Sequence, residues 1–145
     1  MNSADASSVE LVELISLFYS RLSDLGQFTG VTAESCSDAY QRMLAHSAHM
    51  TVTLEKRHES PVSVDVLESR TTESHYLRKI ILRRTSDNRV VQYGIVRLAL
   101  NALKPVVRDE IMAQETPLGR VLINHNVLRQ VQLNALWKVE CGQEL

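Results

Sequence analysis

The chain has 145 residues, 44% of them hydrophobic and 23% charged, and its net charge is −1. This length and composition are typical of one globular domain with a buried core. A net charge near zero gives no electrostatic reason for nucleic acid or an acidic membrane as the main partner, and no secretory signal pattern or membrane-length apolar run is present. We therefore expect a cytoplasmic protein in which Cys36 and Cys141 are free thiols.

The N-terminal third predicts helices joined by a loop. In the segment Val9–Leu25, leucine, isoleucine and phenylalanine recur at helical spacing, which indicates one continuous amphipathic helix. Gly26 follows directly and is expected to end this helix, and Gln27–Ala33 is expected to form a loop. Residues 37–45 then predict a second, short helix.

Residues 46–58 fit two kinds of structure. Met50, Val52 and Leu54 alternate as in a strand, whereas Met50 and Leu54 also lie on one face of a helix. Residue propensity favours the strand. The following segment, Pro61–Thr71, predicts a strand more clearly, because its valines alternate with polar residues.

Residues 75–100 carry the strongest local pattern, a hairpin of two β-branched strands around a polar turn. Strand side chains alternate between the two faces. Arg78 should therefore share its face with three largely apolar residues: Tyr76, Ile80 and Leu82. A guanidinium in apolar surroundings needs a partner, and we interpret that partner as a ligand carboxylate. The competing interpretation is an ordinary surface arginine, which is the commoner case.

Two helices and a strand are expected after the hairpin. Leu103–Gln114 predicts a helix, and Thr116 and Pro117 predict the N-cap and first residue of another. In Val127–Val139, apolar and polar residues alternate as in a last strand. The predicted fold class is therefore α+β, with an antiparallel sheet of about four or more strands and helices packed on it. A single domain over residues 1–145 is expected.

The predicted helix start at Thr116 is a candidate anion site. A helix N-terminus exposes unpaired backbone N–H groups and a partial positive charge, and Gly119 would let a ligand approach closely. A well-capped helix without a ligand explains the same residues. On spacing and chemistry alone, Thr116, Gly119 and Arg78 indicate a site for a small anion.

Other chemistries have little support in the sequence. His46 and His49 could meet on one helix face, but no third ligand stands at a recognisable spacing, so no metal site is expected. No serine lies in a nucleophile elbow and neither cysteine has a neighbouring histidine, which disfavours nucleophilic catalysis. The five glycines are dispersed and form no phosphate-binding loop.

Three segments resemble, in this order, the chorismate lyase family: Met50–Thr51 after a short helix, Tyr76–Leu82, and Glu115–Leu122. The similarity extends over Leu44–Lys138 and is to a branch of the superfamily long catalogued as uncharacterised. Its specific element is the pairing of the arginine-bearing strand with the later helix start. The resemblance implies a chorismate lyase-like fold and a cofactor-free chorismate pyruvate-lyase, which converts chorismate to 4-hydroxybenzoate and pyruvate.

The resemblance also implies roles for single residues. Arg78 would bind the carboxylate of the aromatic product, Leu118 would line the same pocket, and Met50 would close it from the other side. A helix should then begin at Met50, against the strand that propensity favours. Arg97 or the helix start at Thr116 could meet the second carboxylate of chorismate; that hypothesis comes from geometry alone.

The chain also departs from the family's pattern. No glutamate stands in the motif where the characterised lyases carry one on a late strand, and the chain is expected to end before the family's last strands. A domain shortened in this way could expose a sheet edge that pairs with a second copy. The alternatives to a lyase are a non-catalytic module for small aromatic acids and an inactive, truncated relative. The expected partner is a small molecule, chorismate or 4-hydroxybenzoate.

Overall fold

The computed structural model describes residues 10–44, 49–127 and 133–142. Its helices and strands follow one another in this order: α1 (10–15), α2 (Leu22–Leu25), β1 (Gly26–Val31), α3 (Asp38–Leu44), α4 (Met50–His58), β2 (Val62–Thr71), β3 (His75–Arg84), β4 (Val90–Ala99), α5 (Pro105–Met112), α6 (Leu118–Asn124) and β5 (Leu136–Cys141). Helices packed against antiparallel strands confirm the α+β class. Among the described helices, none has the length and apolar character needed to cross a membrane.

The chain divides into two compact units. The terminal unit comprises Met1–His46 and Gln132–Leu145, and the central unit comprises Ser47–Val131. The described strands form two antiparallel sheets, β1–β5 in the terminal unit and β2–β3–β4 in the central unit. Sheets of two and three strands therefore replace the predicted sheet of about four. A single domain over residues 1–145 stays a prediction.

The helix predicted for Val9–Leu25 is interrupted. Among the described residues, which do not include Val9, α1 ends at Ile15, a turn follows, and α2 begins at Leu22. Ile15 of α1 and Leu25 of α2 are both buried. Each of the two short helices therefore buries one of the apolar residues that suggested a single helix face. Periodicity alone does not reveal such a turn, because the apolar positions keep their helical spacing across it.

Strand β1 replaces the loop predicted for Gln27–Ala33. It pairs with β5, beginning with Gly26 opposite Cys141, and so joins segments far apart in the sequence. Gly26 ends α2 as predicted. A Cβ at this position would lie 2.5 Å from the backbone oxygen of Glu140, so the absence of a side chain permits the close pairing. Helix α3 confirms the short second helix.

Strand β5 begins later than the strand predicted for Val127–Val139. It covers Leu136–Cys141, while Val127 has no regular structure and residues 128–132 lie outside the described chain. Both cysteines are free, as expected, with Cys36 half-buried and Cys141 exposed.

The central unit matches its predicted elements closely. The hairpin is confirmed as β3 and β4, and β2 pairs with β3. Helix α4 begins at Met50, as the resemblance implied and against strand propensity. Helix α5 has Pro105 at its start, a position that tolerates proline because its N–H would be unpaired in any case.

A buried apolar cluster joins the hairpin to α5 and α6. Tyr76 of β3 contributes its ring, and the other members come from the chain after β4 and from both helices: Leu100, Val107, Ile111, Val121 and Leu122. Tyr76 is only 2% exposed. The helices therefore cover the face of β3 to which Tyr76 points, and Arg78 points to the same face.

Candidate functional site

Arg78 lies within β3, the central strand of the three-stranded sheet. Its side chain is 0% exposed, which makes it the largest fully buried side chain of the described residues. Tyr76, Ile80 and Leu82, on the same face of the strand, are buried as well. The structure therefore confirms the predicted placement of a guanidinium on an apolar face.

The Arg78 guanidinium has no hydrogen-bond partner in the part of the chain that the structure describes. Its Nε, Nη1 and Nη2 atoms are all buried and all lack an acceptor. A single buried donor left unsatisfied costs about 1–3 kcal/mol, and a charged one costs more. Burial lowers the pKa of Arg78 below its usual value, and the nearby Tyr76 hydroxyl partly opposes this effect. An acceptor from outside the chain would satisfy these donors.

The acidic residues of the central sheet lie on its other face. Glu68 of β2 stands opposite Lys79 and pairs with its ammonium group at 3.6 Å. The cross-strand neighbours of Arg78 are Ser69 on β2 and Val96 on β4, and neither is charged. The positive charge of Arg78 is therefore not neutralised within the sheet.

A β-bulge keeps Glu68 away from Arg78. Before the bulge Val66 stands opposite Ile80, and after it Glu68 stands opposite Lys79, a shift of one residue. Without that shift, Glu68 would lie directly opposite Arg78, on the same face and within reach of its guanidinium. The bulge therefore removes the carboxylate that would otherwise satisfy Arg78.

Polar side chains from β2, β3 and the end of α5 meet next to Arg78. Nε2 of Gln114 donates to the Tyr76 hydroxyl at 2.8 Å and to the Ser69 hydroxyl at 3.1 Å. Ser69 lies directly across the strand from Arg78, and Tyr76 precedes it by two residues on the same face. Both hydroxyls therefore border the position of the guanidinium.

Helices α4 and α6 bring together two of the segments that carry the resemblance. A Cβ on Gly119 would lie 2.3 Å from Oγ1 of Thr51, so a side chain at this position would collide with α4. Glu55, one turn further along α4, forms an ion pair with Arg120 of α6. These two contacts hold α4 against the start of α6.

The apolar residues expected to line the pocket lie at these helix starts. Met50 and Leu118 are the first residues of α4 and α6, and both are half-buried. Leu118 packs against the buried cluster that contains Tyr76. The contact of Met50 and Leu118 with a ligand stays a prediction.

No protein-family model matches the chain, and neither does a curated protein or a solved structure. The resemblance to the chorismate lyase family accordingly stays a prediction, as do the residue roles that it implies.

Arg97 lies on the opposite face of the sheet from Arg78. It stands opposite Leu77 in the ladder, and Leu77 and Arg78, as neighbours along β3, point to opposite faces of the sheet. The Arg97 side chain is also exposed. This position gives no support to the hypothesis that Arg97 meets a second carboxylate of the same ligand, and the hypothesis stays a prediction.

The start of α6 also differs from the prediction. Pro117 rather than Thr116 is the N-cap, no side chain caps the helix, and the helix has only seven residues. The anion site at Thr116 stays a prediction, and the N-cap position expected for Thr116 is wrong. Gly119 permits the contact with Thr51, which explains this glycine without a ligand.

Sequence reasoning missed Gln114 and Ser69. Gln114 follows α5 with a φ of 61°, a left-handed conformation that a glutamine rarely adopts and that no motif indicates. Ser69 stands opposite Arg78 only because of the bulge. The alternation along β3 did place Tyr76 beside Arg78, which was the one available signal for this polar cluster.

A cavity of about 530 Å³ in the terminal unit offers no comparable chemistry. Residues of β1, α3 and β5 and of the segment just before α3 line it, among them Cys36, Tyr40 and Trp137. Among the described residues, the buried side-chain nitrogens that lack a partner belong to Arg78 and His49, and neither residue lines this cavity. Over residues 10–44, 49–127 and 133–142, no group of three or more His, Cys, Asp or Glu side chains is placed to hold a metal ion.

Proposed function

We propose that the central unit binds a small aromatic acid through the carboxylate, with Arg78 as the recognition residue. One observation carries this proposal: a fully buried guanidinium whose three nitrogens have no acceptor among the described residues. A carboxylate matches the planar fork of a guanidinium and can accept two of its hydrogen bonds at once. The apolar face around Arg78 suits the ring of an aromatic acid.

We further propose that the reaction is that of a chorismate pyruvate-lyase. The C–O bond to the enolpyruvyl group breaks, a ring hydrogen leaves as a proton, and the released enolpyruvate takes up a proton to become pyruvate. The ring product is 4-hydroxybenzoate. Because the ring becomes aromatic, the reaction is strongly favoured and needs no cofactor. The protein has to exclude water, hold the reactive conformer and neutralise charge.

The roles of the residues follow from this chemistry. Arg78 binds the ring carboxylate, which both fixes the ring and compensates the buried charge. Met50 and Leu118, at the starts of two helices in mutual contact, cover the ring and keep water out. The meeting of Thr51 and Gly119 supports this arrangement, because the two segments are far apart in sequence.

A non-catalytic module for small aromatic carboxylates is the second candidate. The position of Arg97 favours it, since Arg97 lies on the opposite face of the sheet from Arg78. Chorismate carries two carboxylates, whereas 4-hydroxybenzoate carries one, and Arg78 alone matches the single carboxylate. An inactive relative of the lyases would have the same binding behaviour.

A single experiment separates these functions. Purified protein is mixed with chorismate, 4-hydroxybenzoate is followed by its absorbance, and pyruvate is measured by a coupled assay. Equal amounts of both products support the lyase. Binding of 4-hydroxybenzoate without turnover supports the module, and absence of both turnover and binding removes the proposal. Arg78→Met is the test variant, and Arg83→Met, on the other face of the same strand, is its matched control.

We also propose where the protein acts and what kind of partner it has. We place the protein in the cytoplasm with a small molecule, rather than nucleic acid or a membrane, as its partner.

The proposed homodimer would form through β4, an outer strand of the central sheet. The other outer strand, β2, has a bulge and carries charged side chains, and both features discourage edge pairing. Sedimentation of the purified chain distinguishes a dimer from a monomer.

A further inference from the structure

The Tyr76 hydroxyl is hydrogen-bonded to a donor, and no described residue accepts its own proton. Its oxygen accepts a hydrogen bond from Gln114 Nε2 at 2.8 Å. Arg78, its neighbour on the same face, can only donate. Tyr76 is 2% exposed, so its side chain has little access to water. Among the described residues, Gln114 is the hydrogen-bond partner of the hydroxyl, and no oxygen is placed to accept the hydroxyl proton.

Gln114 restricts where that proton can point. The amide occupies one side of the Tyr76 oxygen, and its second bond, to Ser69 at 3.1 Å, fixes the amide in place. The O–H must therefore point away from Gln114. The phenol proton and the guanidinium of Arg78 are then donors on the same face of β3, in a region where the described sheet supplies no acidic residue.

We propose that Tyr76, oriented by Gln114, is a second recognition residue that donates its hydroxyl proton to the same ligand oxyanion as Arg78. The ligand class is therefore a carboxylate rather than its neutral amide, because only the carboxylate offers two oxygens that both accept. Tyr76 sets this selectivity and Gln114 positions Tyr76. This inference rests on the proposed function of Arg78 and adds the residues that decide which ligands bind there.

The test compares a charged ligand with its neutral analogue. The affinities of 4-hydroxybenzoate and 4-hydroxybenzamide are measured by calorimetry on the full chain and on Tyr76→Phe. The phenylalanine keeps the ring in the apolar cluster and removes only the hydroxyl. A hydrogen bond to a charged acceptor corresponds to about a 10–100-fold loss in affinity when it is removed. We expect that loss for 4-hydroxybenzoate, and a change below about threefold for the amide.

A second variant keeps the inference testable if Tyr76→Phe folds poorly. Gln114→Leu leaves Tyr76 intact and frees the hydroxyl to rotate, so the preference for benzoate over benzamide should fall by roughly three- to tenfold. A purely structural role of Gln114 would change both affinities together and leave their ratio unchanged.

The outcomes separate this inference from the proposed function. If Arg78→Met abolishes 4-hydroxybenzoate binding while Tyr76→Phe and Gln114→Leu leave the benzoate-to-benzamide ratio unchanged, the role of Tyr76 is overturned and that of Arg78 stands. If the unmodified chain binds neither compound, both proposals fail.

Discussion

Replacing Arg78 with methionine should make the free protein more stable and abolish ligand binding. Methionine fills a similar volume with apolar atoms and removes the buried guanidinium that has no described partner. Burial lowers the pKa of Arg78, so the unfolded chain holds the proton more tightly than the folded chain, and the charge opposes folding at every pH at which both remain protonated. Replacing buried ionic groups by well-packed apolar ones stabilises proteins by about 1–4 kcal/mol.

A gain of this size should be visible in thermal unfolding. For a chain of this length, 1 kcal/mol corresponds to a change in Tm of about 3–4 °C, so we expect a rise of roughly 3–15 °C. Arg83→Met is the control, because Arg83 lies in the same strand but is 31% exposed and bonded to Asp65 at 2.7 Å. Loss of that surface ion pair should lower stability by about 1 kcal/mol or less.

The opposite result would refute the reasoning. If Arg78→Met lowers the free energy of unfolding by about 3–5 kcal/mol, as the loss of one member of a buried pair does, then Arg78 is already satisfied within the chain and needs no ligand. The effect of the ligand on the free energy of unfolding is an independent test. Saturating 4-hydroxybenzoate, at a hundred times its Kd, should stabilise the unmodified chain by about 2.7 kcal/mol and leave Arg78→Met unchanged.

A complementary change supplies the missing carboxylate. Ser69 stands directly opposite Arg78, so Ser69→Glu places an acid where Glu68 would lie without the bulge. We expect this variant to pair with Arg78, to raise Tm, and to stop binding 4-hydroxybenzoate because the site is filled from within. Ser69→Gln is the neutral control. Equal ligand affinities in the two variants would argue against a site at Arg78.

Two further predictions concern other parts of the central unit. Gly119→Ala should destabilise the protein by about 1–3 kcal/mol through collision with Thr51, and adding Thr51→Ala should recover part of the loss in a denaturant titration; a fully stable single variant would contradict the contact. Arg84 lowers the pKa of Asp87 to about 2. Because the pKa is lower in the folded chain, this pair stabilises the fold fully above the ordinary aspartate pKa. The effect is lost as the pH falls from there through about 2. In Arg84→Met, an NMR titration of Asp87 should show a higher midpoint, whereas an unmoved midpoint would assign the shift to another cause.

The sequence predicted elements best where the deciding contacts are local. The hairpin, Pro61–Thr71 and the helix beginning near Pro105 carry their own turn and periodicity signals, and each is confirmed. Strand β1 was missed because its pairing partner, β5, lies more than a hundred residues away. Propensity likewise gave the wrong structure for α4, whose Leu54 is fully buried, because tertiary packing overrides a weak local preference.

The sequence by itself determined that Arg78 points to an apolar face, because alternation along a strand is a local rule. Only the tertiary structure decided that this arginine has no described partner. A one-residue bulge in β2 turns Glu68 to the other face and sets Ser69 in its place, and a left-handed Gln114 reaches back from α5 to Tyr76. Register and helix-end geometry depend on contacts across the fold, which is why no pattern along the chain predicted them.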